Sequence, residues 1–137
     1  MGYWAGGIYT ESRNEKTHIL LTRTGPTAEW SLPGGKQLDE NESPIATFVR
    51  EIYEEINIVA WPGMLIFAVK EPDHLRYIFE IEPETKIIES ETIRFFPLTA
   101  LPQNLRERHR QILRHLYRNY FDYEKKSLSR KNSVSNR

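Results

Sequence analysis

Alternating apolar and polar positions predict a series of short strands in the first hundred residues. The runs at 4–10 and 17–23 are rich in β-branched and aromatic residues, and the polar stretch ESRNEK lies between them. Together they predict a hairpin. A loop is predicted at 24–29, and the segment EPDH predicts a turn between two later strands. Further strands are predicted at 30–32, 64–69, 75–81 and 92–96, and EPDH lies between the two at 64–69 and 75–81.

A helix is predicted at 44–56, where apolar residues recur at helical spacing. Ser43 is a favoured N-cap residue and Pro44 suits the first helical position. Asn57 follows the last turn and is suited to a left-handed C-terminal residue. The stripe expected to pack on a core consists of Ile45, Phe48, Val49, Ile52 and Ile56.

A second, longer helix is predicted at 103–121. Its apolar face contains Leu105, Ile112, Leu113, Leu116 and Tyr120. Strands interleaved with two helices predict an α/β layered fold. The chain of 137 residues fits one domain, which we place at 1–123. Residues 124–137 are basic and have few apolar side chains, so a disordered basic tail is expected.

Composition excludes several classes of protein. The chain has no Cys, which rules out disulfides, zinc–thiolate sites and thiol nucleophiles. No apolar run approaches the ~20 residues of a transmembrane helix, and the start MGYWAGGIYT lacks the features of a signal peptide. A soluble, cytoplasmic protein without a membrane partner is therefore expected. The sequence leaves a homodimer open.

The neutral net charge conceals an asymmetry along the chain. Residues 1–103 carry nine Lys/Arg and sixteen Asp/Glu, whereas residues 104–137 carry ten Lys/Arg and three Asp/Glu. The basic part raises the hypothesis of an RNA-directed protein, because arginines interleaved with tyrosines can follow a phosphate backbone. The favoured alternative is a solvated helix face. The residues concerned are Arg106, Arg108, Arg110, Arg114, Tyr117, Arg118 and Tyr120.

The first predicted helix gathers carboxylates on one face. Glu54 and Glu55 follow Glu51 by three and four residues, which places all three carboxylates on one side of the helix. Arg50 directly precedes Glu51. Like charges at this spacing cost roughly 0.2–0.5 kcal/mol per pair, so such a face favours a bound cation. Oxygen ligands suit Mg²⁺ or Mn²⁺ better than zinc. A solvated acidic face is the alternative interpretation.

The segment around this helix resembles the Nudix box, G-x5-E-x7-R-E-U-x-E-E-x-G-U, in which U is a bulky aliphatic residue. The match runs from Glu42 through Arg50 to Ile58, and WSLPGG before it resembles the usual entry. There are two departures. Six residues separate Gly35 from Glu42 where the pattern has five, and Asn57 stands in place of the late glycine.

The resemblance implies an α/β/α sandwich with a mixed sheet between helices, over roughly 4–120. It also implies Mg²⁺-dependent hydrolysis of a diphosphate linkage in a nucleoside diphosphate derivative, with Mn²⁺ as a substitute and a small-molecule nucleotide as substrate. By position, Glu51, Arg50, Glu54 and Glu55 are the expected catalytic residues. Those expected to bind the metal are Glu51, Glu54 and Glu55, with a backbone carbonyl from Gly34 or, the one we favour, Gly35.

Other residues and other functions also follow from the resemblance. Arg23 and Glu89 are candidates for substrate binding, and Glu89 is also a candidate outer ligand or base. Glu42 is as well suited to a structural role as to a catalytic one. Two alternatives to a small-nucleotide hydrolase stay open: a Nudix enzyme acting on RNA 5′ ends, and a non-catalytic nucleotide-binding module.

Overall fold

The computed structural model describes residues 2–121, and the predicted tail at 124–137 lies outside them. The chain divides after Leu105 into two compact units. Strands interrupted by one helix and followed by a second confirm the α/β class. The elements are β1 (Gly2–Ile8), β2 (Thr10–Arg13), β3 (Lys16–Thr22), β4 (Gly34–Lys36), α1 (Pro44–Ile56), β5 (Ala60–Lys70), β6 (His74–Pro83), β7 (Ile93–Pro97) and α2 (Glu107–Leu116), with a π-helical turn at Tyr117–Phe121.

The strands form two sheets. The first has the order β4-β1-β6-β5 and is mixed, because β1 runs parallel to β6 and antiparallel to β4. The second is antiparallel, with the order β2-β3-β7. The mixed sheet was expected, and the long β5–β6 pair contains the two strands predicted around EPDH.

The prediction that the runs at 4–10 and 17–23 form one hairpin is wrong in the strands that it pairs. The run at 4–10 is divided at Tyr9, so β1 enters the mixed sheet and β2 begins at Thr10. The hairpin instead joins β2 to β3 through Asn14 and Glu15, both of which have positive φ. Two such residues match the twist of a tight hairpin turn. The stretch ESR was taken for a loop because it is polar, but a strand at the edge of a sheet accommodates polar side chains.

The strand predicted at 30–32 is also wrong. Trp30 and Ser31 make only isolated bridges, and the strand comes later, as β4. Gly34 in β4 has φ 147°, and a Cβ there would come within 2.5 Å of the Gly6 Cα. A glycine is needed for this close pairing of β4 with β1. The glycines therefore build a strand that begins after the positions predicted for it.

Helix α1 packs on the main core through four of the five side chains predicted to do so, among them the partly buried Val49. Phe48 and Ile52 are fully buried and Ile56 nearly so. The prediction for Ile45 is wrong, because 54% of it is exposed, whereas Thr47, which lies outside the predicted stripe, is fully buried. The core around them contains Ala5, Leu20, Ala60, Ile81, Ile87, Ile93 and Phe95. This packing holds the acidic face of α1 in a fixed orientation.

The second helix is shorter than predicted. Residues 103–105 are not helical: the Asn104 carbonyl accepts a hydrogen bond from the Trp30 amide, and Leu105 bridges to Trp30. Pairing with Trp30 requires extended backbone, so α2 begins only at Glu107. Its buried side chains are His109, Ile112, Leu113 and Leu116. Within residues 2–121, no helix has the length and apolar character needed to cross a bilayer.

Candidate active site

The caps fix both ends of helix α1. The Ser43 hydroxyl accepts a hydrogen bond from the Ala46 amide, and Pro44 occupies the first turn. At the other end Asn57 is left-handed, with φ 62°, and its amide donates to the Tyr53 carbonyl at 2.9 Å. The asparagine in place of the pattern's glycine therefore adopts the conformation that glycine favours. The helix has the bounds predicted from the sequence.

Arg50 is the centre of the polar network on α1. Its Nε and Nη2 donate to the two oxygens of Glu42 at 2.8 and 2.9 Å. Its Nη1 donates to Glu51 at 2.8 Å and reaches Glu54 at 3.3 Å. Its Nη2 also donates to the Lys36 carbonyl at 3.0 Å. One guanidinium thus connects three glutamates to the end of β4, and these ion pairs raise its pKa above the usual range.

Glu42 is held by donors from three directions. Besides Arg50, the Thr47 hydroxyl donates to it at 2.6 Å and the Leu38 amide at 2.9 Å. The hydrogen bond from Arg50 is the main cause that lowers the pKa of Glu42 to about 2. The extra residue of the preceding loop is accommodated in a turn, in which the Glu42 amide donates to the Asp39 carbonyl. The geometry supports the structural role considered for Glu42.

Glu51 lies against the glycine strand. Its carboxylate is largely buried and paired with Arg50. A Cβ added to Gly35 would come within 2.3 Å of the Glu51 carboxyl carbon, a distance no real pair of atoms tolerates. Only glycine at position 35 therefore allows this carboxylate to approach the β4 backbone.

Glu54 and Glu55 differ in their surroundings. Glu54 is 54% exposed at its side chain and contacts Arg50 only loosely, at 3.3 and 3.4 Å. Glu55 is mostly buried, and its Oε2 accepts hydrogen bonds from the Thr22 hydroxyl and the Gly34 amide, both at 3.0 Å. Burial, aided by the charges of Glu51 and Glu54, raises the pKa of Glu55 to about 7 despite those two donors.

The carboxylates fit a hard cation in chemistry but are not gathered around one point. Among residues 2–121, no three acidic or histidine side chains are arranged to hold a metal ion. Glu51 and Glu54 are turned toward Arg50, and Glu55 toward Thr22 and Gly34. The donor set is nevertheless all oxygen, on one helix face beside a glycine backbone, which is the ligand type that Mg²⁺ prefers.

The two residues predicted for substrate binding have other partners. The guanidinium of Arg23 lies over the Trp30 ring at 4.2 Å, and its Nε donates to the Glu91 carbonyl at 2.7 Å. Arg23 follows Thr22 directly, and successive side chains in extended backbone point to opposite sides. Since Thr22 points toward Glu55, Arg23 points away from it. Its role in substrate binding stays a prediction.

Glu89 serves as an anchor in the loop before β7. Its carboxylate accepts a hydrogen bond from the Phe95 amide at 2.9 Å and pairs with Arg13 at 3.4 Å. Arg13 in turn lies over the Phe95 ring. These contacts connect Glu89 to β2 and β7. Its assignment as a substrate-binding residue or ligand stays a prediction.

Two buried threonines of the site were missed by sequence reasoning. Thr22 is 3% exposed and donates to Glu55, and Thr47 is fully buried and donates to Glu42. A signal was present for Thr22, because a hydroxyl at the end of the apolar run ILLT needs a partner once it is buried. For Thr47 the helical pattern was misleading, since it lies beside the polar face.

Comparison with known proteins agrees with this geometry. The family model described as NUDIX domain matches residues 7–116. A curated protein of Bifidobacterium longum, a nucleoside triphosphate pyrophosphatase/Nudix hydrolase fusion protein, is 31% identical over 121 residues. That match covers 72% of this chain, which spans about a quarter (24%) of the length of that relative.

Solved structures share the fold. A MutT NUDIX hydrolase from Burkholderia pseudomallei is 25% identical, with a TM-score of 0.58 and coverage of 82% of this chain and 95% of that one. A putative Nudix hydrolase family member from Chromobacterium violaceum is 21% identical, with a TM-score of 0.66 and coverage of 86% and 77%. The family match spans most of the chain and includes α1 with its capped ends and clustered glutamates. This chain belongs to the Nudix hydrolase family.

Proposed function

We propose that this protein hydrolyses a diphosphate linkage in a nucleoside diphosphate derivative, with Mg²⁺ as cofactor. The observation that carries the proposal is the contact between the α1 carboxylates and the glycine strand. Glu51 packs against Gly35, and Glu55 accepts the Gly34 amide. Rigid helix and strand thus hold these carboxylates beside the glycine backbone, and oxygen donors of this type suit a hard cation.

The proposed cation ligands are Glu51, Glu54 and Glu55, with the Gly35 carbonyl. Bound there, Mg²⁺ supplies positive charge that neutralises the diphosphate oxygens and lowers the pKa of a coordinated water. The need for that charge follows from the protein itself, because residues 1–103 carry sixteen acidic and nine basic residues. A diphosphate would otherwise be repelled by the carboxylates.

The chain's own residues have two proposed tasks. Arg50 holds Glu51 through a short hydrogen bond from Nη1 and reaches Glu54 only at 3.3 Å. A carboxylate of α1 accepts the proton of the attacking water, and we assign this to Glu51, whose carboxylate lies against Gly35. The exposed Glu54 is free to reorient, since its contact with Arg50 is long.

The test is a substrate panel at fixed Mg²⁺. Nucleoside triphosphates, oxidised nucleotides, ADP-ribose, dinucleoside polyphosphates and capped RNA would be assayed for product with wild type, Glu54→Gln and Glu55→Gln. We expect kcat to fall at least ~10²-fold in both variants on any substrate that the wild type hydrolyses. Glu40→Gln, an exposed acid of the preceding loop, is the matched control and should retain activity. Full activity of Glu54→Gln or Glu55→Gln would show that the site is wrongly assigned.

A further inference from the structure

The hydroxyl of Thr22 is buried at the end of β3, beside the acidic face of α1. The side chain is 3% exposed, and its Oγ1 donates to Glu55 Oε2 at 3.0 Å. A buried hydroxyl that loses its partner destabilises the folded protein, so this contact is energetically significant. Valine, which has the same shape and favours strands, would fill the position without any such requirement.

The second hydrogen-bond donor to Glu55 contacts the same oxygen, Oε2, as the Thr22 hydroxyl does. The Gly34 amide reaches Oε2 at 3.0 Å from β4. Among residues 2–121, Thr22 and Gly34 are the two donors described for Glu55, and both contact Oε2. Within that part of the chain, no hydrogen bond to Oε1 is described. A carboxylate held by one oxygen keeps the other for a ligand.

Both donors belong to residues whose backbone is fixed by pairing. Thr22 is fixed on one side by reciprocal hydrogen bonds with Ser31, at 2.8 and 2.9 Å, and on the other by its pairing with Ile93 of β7. Gly34 is fixed by its close approach to Gly6 of β1. The two donors come from different sheets, so the direction of the Glu55 carboxylate depends on neither sheet alone.

We propose that Thr22 is a positioning residue for the metal-binding carboxylate of Glu55: its hydroxyl and the Gly34 amide hold Oε2 and leave Oε1 to the cation. The inference rests on the proposed function, since it assumes that Glu55 is a cation ligand. Groups that orient a ligand from outside the metal shell typically change metal affinity or activity by about 10–100-fold when they are removed.

The experiment measures Mn²⁺ and Mg²⁺ affinity by calorimetry, without substrate, in wild type, Thr22→Val and Thr22→Ser. Thr22→Val removes the donor and keeps the shape, and we expect affinity to fall about tenfold or more. Thr22→Ser restores the donor, and affinity should stay within about threefold of wild type. In turnover assays, Thr22→Val should raise the Mg²⁺ concentration for half-maximal rate, with the substrate KM at saturating Mg²⁺ unchanged.

The control variant is Thr92→Val. Thr92 precedes β7 beside β3, and its hydroxyl contacts Ser90, not a carboxylate of α1. Its metal affinity should equal that of wild type even if its melting temperature falls. If Thr22→Val fails to fold, Thr22→Ala takes its place: weak metal binding in Thr22→Ala but not in Thr22→Ser supports the inference.

Two failures are distinguishable. If wild type binds metal and hydrolyses a diphosphate while folded Thr22→Val, or its Thr22→Ala replacement, has wild-type metal affinity, Thr22 only satisfies a buried oxygen and the inference is overturned alone. If wild type binds neither Mn²⁺ nor Mg²⁺, or if Glu55→Gln binds them as wild type does, the inference fails together with the metal site of the proposed function.

Discussion

At the scale of single residues, the site depends on the shape of one guanidinium. Every N–H of Arg50 has an oxygen to contact, supplied by three glutamates and the Lys36 carbonyl. The pair with Glu42 is bidentate, a geometry that an ammonium group cannot reproduce. Arg50 therefore acts as a rigid spacer between carboxylates as well as a charge.

Replacing Arg50 with Lys tests that role. Lysine keeps the charge but cannot donate two parallel hydrogen bonds to one carboxylate. At least one oxygen that now accepts from Arg50 would lose its donor. We expect the free energy of unfolding to fall by about 1–3 kcal/mol, together with a fall in diphosphatase activity. Urea denaturation and turnover assays measure the two effects. Arg94→Lys, on the exposed face of β7, is the control and should change neither. A stable and fully active Arg50→Lys would mean that charge alone suffices.

Glu55 predicts a pH dependence of stability in the metal-free protein. Its pKa is about 7 in the folded chain against 4.5 as the ordinary value, so the folded state favours the protonated form. The contribution of protonated Glu55 to the free energy of unfolding is fully present below about pH 4.5 and is lost as pH rises through about 7. In EDTA, Glu55→Gln should therefore gain stability over wild type as pH increases across this window, by at most about 3 kcal/mol.

For Glu42, the predicted dependence of stability on pH has the opposite sign. Its folded pKa is about 2, so its contribution is present above about pH 4.5 and is lost as pH falls toward 2. Glu42→Gln should destabilise the protein at pH 7 and much less at pH 3. Thermal melts of wild type and both variants across pH 3–8 measure the two trends. Parallel curves for all three proteins would contradict both assignments.

At the scale of elements, helix α1 was predicted from its sequence with its bounds and both caps. Strong local signals define it: Ser43 and Pro44 at one end, and Asn57 at the other. The strands were less predictable because their partners are distant in sequence. β4 is made of Gly34, Gly35 and Lys36, which carry no strand propensity, and it forms only because β1 offers an edge on which glycines fit.

The faces of α1 were predicted in part, for a physical reason. Ile45 continues the apolar period but lies in the first turn, where it is exposed. Thr47 breaks the period and yet is buried, because Glu42 accepts its hydroxyl. Apolar periodicity does not report such hydrogen bonds. The contacts of Glu55 were unpredictable for the same reason, since Thr22 and Gly34 are 33 and 21 residues away from it.

The C-terminal residue of α1 gives a prediction at this scale. Asn57 is left-handed, so Asn57→Gly should leave stability unchanged or raise it slightly, whereas Asn57→Ala should cost about 1 kcal/mol, because a Cβ is disfavoured in this conformation. Chemical denaturation of the three proteins measures the difference. Equal stability of the alanine and glycine variants would mean that α1 does not end in this conformation.

At the scale of the whole molecule, the distribution of charge separates the catalytic proposal from the RNA hypothesis. The basic residues are concentrated after position 103, away from the sequence of the carboxylate site. Residues 125–137 contain few apolar side chains, so their deletion should leave the fold and the turnover of a small nucleotide nearly unchanged. Circular dichroism and the turnover assay measure this.

RNA binding is the second readout of that deletion. We expect the full chain to have no RNA affinity that the deletion removes. Tight RNA binding that weakens steeply with salt and disappears on deletion would contradict this expectation, since it would report phosphate contacts made by the tail. The RNA-directed alternative would then replace a small nucleotide as the favoured substrate.

The parallel pairing of β1 with β6 has a consequence for how the chain acquires its structure. Gly2 pairs with His74, so β1 must wait for its parallel partner roughly 70 residues later in the sequence, although its antiparallel partner β4 comes sooner. The β5–β6 hairpin closes over a short turn and needs no such wait. During synthesis β1 leaves the ribosome long before β6, and until β6 has emerged β1 has only the short strand β4 as a native neighbour in its sheet. Folding should thus proceed from the middle of the chain outward, with the N-terminal strand completing the sheet.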